Sequence, residues 1–130
     1  MKNIIDAFNK LAFIVKNKWE ITYGTNEIEP ELLNILDFVK KNIAYRMEIA
    51  NCFIDIINDY TKGPLEIVVF CMRELQWQEV KEAAGSRQIS HKDPRVKFAM
   101  QKILDVYERE WNDADLYHYY SNSTNNSEPY

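Results

Sequence analysis

Glycine and proline are scarce, three and four in 130 residues. A sheet protein of this size needs more of both, because tight hairpins draw on Gly, Asn-Gly and Pro for positive φ and fixed turns. Their placement points the same way. Gly24, Gly63 and Gly85 each follow a segment rich in helix formers, where a left-handed closing residue is wanted. Pro30, Pro64 and Pro94 each open a segment, where a missing N–H goes unneeded. The pattern predicts an all-α fold, a compact bundle of five to six helices, with stacked helix hairpins compatible.

Other shortages exclude chemistry. Of the two cysteines, Cys52 and Cys71, both lie among apolar neighbours. They read as small core residues rather than a disulfide framework. A thiolate at Cys71 would be disfavoured there, which argues against a cysteine nucleophile. The serines fall at 86, 90, 121, 123 and 127, all in a polar connector or the tail, where no nucleophile–base arrangement is expected. The two histidines, His91 and His118, belong to no Cys/His cluster. Asp115 and His118 can share a helical face, but the second element that a paired carboxylate–histidine site needs is missing. Three glycines spaced by tens of residues make no phosphate loop. No catalytic residue, metal or cofactor is therefore expected.

No run reaches the roughly 18 apolar residues of a membrane span. Asp6, Asn9 and Lys10 break any signal-like start, so a cytoplasmic protein is expected. With 20 acidic against 16 basic groups and a net charge of −4, the chain lacks a basic excess. That argues against nucleic acid and membrane surfaces as partners and is compatible with a basic protein.

What the chain does have is apolar periodicity. Ile4, Ile5, Phe8, Leu11, Ala12 and Val15 define one side of a first helix that Asn3 can cap and Gly24 can stop. Thr25–Glu29 reads as a connector, its acids set for the positive end of the next helix. From Pro30 to Lys62 no breaker occurs, and Leu36, Val39, Ile43, Met47, Ala50, Ile54 and Ile57 keep one phase. One helix of that length would extend about 50 Å, too long for so small a domain. An interruption is expected near Lys40-Lys41-Asn42 without loss of phase; whether one helix or two results stays open.

From Leu65 to Met72 only Glu66 is polar, so this stretch must be covered on more than one side and forms the expected hub. A buried strand is the alternative for Ile67-Val68-Val69, but the helix formers that follow, up to Gly85, favour helix. A break is expected around Gln76-Trp77-Gln78, and a polar connector over Ser86–Lys92. Asp93-Pro94 reads as cap and first residue of a last long helix, with Val96, Ala99, Met100, Ile103, Tyr107 and Trp111 inward. Residues 1–120 are expected to be one helical domain and 121–130 a disordered polar tail.

Recognition by a surface is the remaining candidate function. Trp77, flanked by Glu74 and Glu79, and the run Asp113, Asp115, Tyr117, Tyr119 and Tyr120 combine aromatics with acids. That combination suits an interface with an apolar centre and charge selectivity. Trp111, like Trp77 and Tyr117, is also suited simply to covering the core's edge. An alternative class is a small hydrolase built on buried carboxylates, with Glu66 the first candidate. A helical scaffold or self-associating module is a third, and the oligomeric state is open.

The segment Val69–Val80, followed by Asp93-Pro94-Arg95 and Trp111–Tyr117, resembles a group of small helical bacterial proteins that includes immunity proteins. The resemblance covers roughly the C-terminal half and holds no chemically diagnostic motif. It implies a cytosolic inhibitor that occludes a cognate toxin domain, often with an acidic face set against a basic nuclease active site.

Overall fold

Breaks in the chain set where each helix ends. The computed structural model describes the backbone of residues 2–22 and 25–121 and the side chains of residues 4–22 and 27–121. Six α-helices carry the fold: α1 (Lys2–Thr22), α2 (Thr25–Lys41), α3 (Arg46–Asn58), α4 (Glu66–Leu75), α5 (Gln78–Ser90) and α6 (Pro94–Asp105). Short 3-10 turns lie at Ile43–Tyr45, Tyr60–Lys62 and Asn112–Leu116, and a last helical turn spans 118–121. No strand occurs among the described residues, as an all-α bundle requires. Asn3 does not cap α1, because the helix already begins at Lys2 and Asn3 lies inside it; the Gly24 stop and the tail beyond 121 lie outside the described residues.

Neighbours in sequence pack as hairpins, α1 on α2 and α5 on α6, while α3 lies against both α1 and α5. The hub is α4, which meets α2, α3 and α6. Its Ile67, Val68, Phe70, Cys71 and Met72 are all buried, so the apolar run is a wrapped helix and not a strand. Gly63 admits α4 to this position. A Cβ there would stand 3.0 Å from Ile67 Cδ1, 3.5 Å from Ile56 and 3.6 Å from Ala12, so α1, α3 and α4 converge where only hydrogen fits.

The expected interruptions fall where they should, but one consequence differs. Asn42 closes α2 by donating from both its backbone N–H and its side-chain Nδ2 to the carbonyl of Phe38, at 3.1 and 2.8 Å. The 3-10 turn after it winds tighter than an α-helix, so the apolar phase slips there. Ile43 and Met47, expected inward, stand exposed, Met47 at 74%. In α3 the core is Ile49, Ala50, Cys52, Phe53, Ile56 and Ile57, so Ala50 and Ile57 keep their expected inward places.

At the second break, Gln76 takes a left-handed backbone (φ 56°) that glycine usually supplies. Its side-chain amide offsets the strain by donating to the carbonyls of Met72, Arg73 and Val106 at 2.9–3.0 Å.

Three boundaries move. Thr25–Glu29 is already helix, so Pro30 lies inside α2 and removes one intrahelical bond rather than opening the helix. Gly85 does not stop α5, which runs to Ser90. A mid-helix glycine costs only about 1 kcal/mol, too little to end a helix by itself. The stronger stop is Asp93-Pro94, since a residue before proline avoids the α region. Asp93 caps α6 as expected, its Oδ1 accepting from the Arg95 N–H at 2.9 Å. That helix ends early, at Asp105, because Arg73 reaches over from α4 and donates to the carbonyls of Val106, Glu108 and Arg109. A cation is favoured at a helix C-terminus. Tyr107 and Trp111 are therefore placed by the chain beyond α6 and not by its stripe.

Candidate functional site

Aromatic and acidic residues gather at two places on either side of α4. The first is the C-terminal segment. Tyr117 stacks on Trp111 at 5.7 Å, and Phe70 receives Tyr117, Tyr119 and Tyr120 at 5.0–5.8 Å. Both carboxylate oxygens of Glu29, on α2, accept backbone N–H groups at the start of the last helical turn, His118 at 2.9 Å and Tyr119 at 2.6 Å. A carboxylate there is a helix cap supplied from another element. Tyr120 donates its hydroxyl to the Phe70 carbonyl, and Tyr119 donates to Glu74 at 2.7 Å. Burial would raise the Glu74 pKa, but hydrogen bonds from Lys40 and Tyr119 overcome it and hold the carboxyl below its ordinary value. Burial pushes the Tyr117 and Tyr120 hydroxyls far upward.

Most residues singled out as a recognition surface are thus spent on the fold. Trp77, Tyr117 and Tyr120 are buried, at 5, 2 and 7% exposure. Trp77 packs edge-on to Phe53 with the Arg46 guanidinium 4.4 Å over its ring, and Arg46 in turn pairs with Glu79 at 2.7 Å. Glu74 is tied to Lys40 and Tyr119. Trp111 covers the core's edge, as one reading of it holds. Asp113 and Asp115 stay at the surface, and His118 falls in a different element from Asp115.

The second place is a groove of about 410 Å³ between α1, α4 and α6. Trp19, Tyr60, Leu65, Val69 and Phe98 give it apolar and aromatic walls, and Phe98 is 67% exposed. Four charged groups line it: Lys16, Glu20, Glu66 and Lys102. Lys16 pairs with Glu20 at 3.5 Å, and the Lys102 ammonium sits 5.4 Å over the Phe98 ring. Glu66, in the first turn of α4, is half-buried. Burial raises its pKa, opposed by a hydrogen bond from its own backbone N–H and by Lys102. Among the described residues no other side chain donates to it.

Glu66, Val69 and Lys102 also line a small cleft of about 40 Å³ with Trp111, Asp113 and Tyr117. Trp111 and Asp113 in turn line an acidic depression of about 220 Å³ together with Asp105, Glu108 and Glu110. Shared residues therefore join groove, cleft and depression into one surface, apolar at one end and acidic at the other.

Sequence reasoning singled out Glu66, Trp111, Asp113 and Tyr117 of the cleft but not the aromatic walls of the groove. Phe98 falls on the charged side of α6 beside Lys97 and Lys102, and an aromatic on an outward face was the signal available. Trp19 and Tyr60 come to the groove only through packing.

The cysteines are inert by position. Both are free and buried, and burial pushes the Cys52 thiol up to about 11 and Cys71 further. No cluster of three or more His, Cys, Asp or Glu able to hold a metal occurs among the described residues. No described helix is long and apolar enough to cross a membrane. Set against known protein families, characterised proteins and solved structures, the chain matches none.

Proposed function

We propose that this is a non-enzymatic, cytoplasmic binding protein of the immunity type, which neutralises a cognate toxin domain by covering its active site. One observation carries the reading: the apolar groove runs through the Glu66–Asp113 cleft into a depression lined by four carboxylates. An apolar centre beside a charged margin is the anatomy of a specific protein interface. The acidic end selects a basic partner and speeds encounter, while the apolar end slows dissociation. A nuclease active site, basic because it holds a phosphate backbone, has the matching chemistry.

The test is capture of the partner from a native lysate, with identification of the captured protein. A toxin-like domain, retained by the wild type and lost by Asp113→Lys/Asp115→Lys, is the expected result. Undiminished capture by the double variant removes Asp113 and Asp115 from the interface, and capture of no toxin removes the reading.

A small hydrolase is the second reading, and it has one observation in its favour, Glu66 and Asp113 in a common cleft. At about 40 Å³ that cleft admits a few waters and no substrate, and in the larger groove the second carboxylate, Glu20, is already paired to Lys16. Self-association has its own support in Phe13, Ile14 and Ile21, exposed along α1. Light scattering on the isolated protein decides it, since a monomer at high concentration ends that reading.

A further inference from the structure

We propose that the groove between α1, α4 and α6 is a socket for one arginine side chain of the protein partner, its guanidinium on Glu66 and its stem between the aromatic walls. The inference deepens the binding-protein reading above and rests on it. Of the four charged groups in the groove, three already have company: Lys16 and Glu20 hold each other, and Lys102 lies over Phe98. Glu66 is the exception. Its carboxylate sits half-buried among apolar side chains and, among the described residues, is met only by its own backbone N–H and the field of Lys102. An occupant that completes the site must bring donors and positive charge to Glu66 and apolar surface to Trp19, Tyr60 and Phe98.

Arginine meets both demands better than lysine. Its planar guanidinium bonds a carboxylate in two-point fashion and stacks on aromatic faces, and it sheds water more readily than an ammonium. The volume, about 410 Å³, lies in the range of sites that enclose a small ligand, roughly 300–1,000 Å³. One side chain and its apolar neighbours fit. An anionic occupant would instead need Lys16 and Lys102, which the structure shows engaged. Lys102 is the group that competes with an arriving cation, so its removal must help.

The experiment uses three acetylated, amidated tripeptides, Leu-Arg-Leu, Leu-citrulline-Leu and Leu-Glu-Leu, titrated at neutral pH and followed by the Trp19 indole and the Glu66 and Phe98 amide resonances. Citrulline keeps the shape of arginine without its charge. The arginine peptide is expected to bind about tenfold tighter than the citrulline peptide, the size of a charge-assisted bond in a half-buried site. Glu66→Gln should erase that preference, Lys102→Ala should enlarge it, and Phe98→Ala, a change at an exposed position, should weaken all binding without unfolding the chain.

Equal binding of the arginine and citrulline peptides overturns the proposal. So does a preference for the glutamate peptide that Lys102→Ala abolishes, which would make this an anion site. The two readings fail separately. An arginine socket with no toxin captured sinks the immunity function alone, and a captured toxin with no arginine preference sinks the socket alone.

Discussion

The C-terminal segment and the groove are built from the same residue types, yet they differ in how their polar groups are completed. Around Phe70 three groups are answered from within the chain: Glu29 by two backbone N–H groups, Glu74 by Lys40 and Tyr119, Tyr120 by the Phe70 carbonyl. In the groove the aromatics stand partly open, and among the described residues Glu66 is met by its own backbone N–H and the field of Lys102, with no side-chain hydrogen bond. Aromatic and acidic content therefore does not distinguish a packing site from a binding site. Hydrogen bonding does, because a half-buried acid with no side-chain donor inside the chain keeps the capacity to accept one from outside.

The sharpest way to break the contrast is Phe70→Ala. If the C-terminal cluster is structural, this should cost about 4 kcal/mol in urea unfolding; a loss under about 1 kcal/mol would show the tyrosines merely resting on the surface. Next in size is Glu29→Gln, expected to cost about 2 kcal/mol, the worth of a hydrogen bond to a charged group. Amide exchange at His118 and Tyr119 should accelerate together. If those amides stay protected, the last turn is held by packing and not by its cap.

Gly85→Ala calibrates the scale outside both regions. A Cβ there meets nothing within 4 Å, so the mid-helix change should stabilise by about 1 kcal/mol. A destabilisation would mean that the helix interior at this point is not what its backbone indicates.

The smallest effect belongs to the groove. Burial raises the Glu66 pKa above its ordinary 4.5, so the native state holds that proton more tightly than the unfolded chain. Glu66 then costs nothing below about pH 4.5 and destabilises increasingly as pH rises through its folded value. Glu66→Gln should raise Tm by about 1–2 °C at pH 7, and the difference should vanish by pH 4. A gain at acid pH, or a loss at neutral pH, would show that the carboxylate is already completed inside the chain.

Several features were legible before any coordinates. The Asp93-Pro94 start, the breaks at Asn42 and at Gln76–Trp77, and the wrapped helix at 66–75 all follow from local rules: capping geometry, the reach of one helix in a small domain, and an apolar run with no polar face. Other features were not. Gly85 looked like a stop because glycine favours helix ends, but its mid-helix cost is small and the helix runs on to Ser90. Met47 looked inward because periodicity carries no record of a 3-10 turn changing the phase. Of the candidate recognition residues, Trp77, Tyr117 and Tyr120 went to the core, since whether an aromatic packs or projects depends on elements far away in sequence. Glu29 belongs to the same class. As a connector acid it looked set for the positive end of the next helix, but it caps a turn 89 and 90 residues further on.

By itself, then, the order of residues determined that this chain would be helical, where most helices would begin and end, and that Leu65–Met72 would sit at the centre, because capping, proline geometry and apolar spacing act over a few neighbours. Only the tertiary structure decided which acids and aromatics would be completed and which left open. That choice depends on distances between α1, α2, α4, α6 and the chain end, and no local pattern contains them.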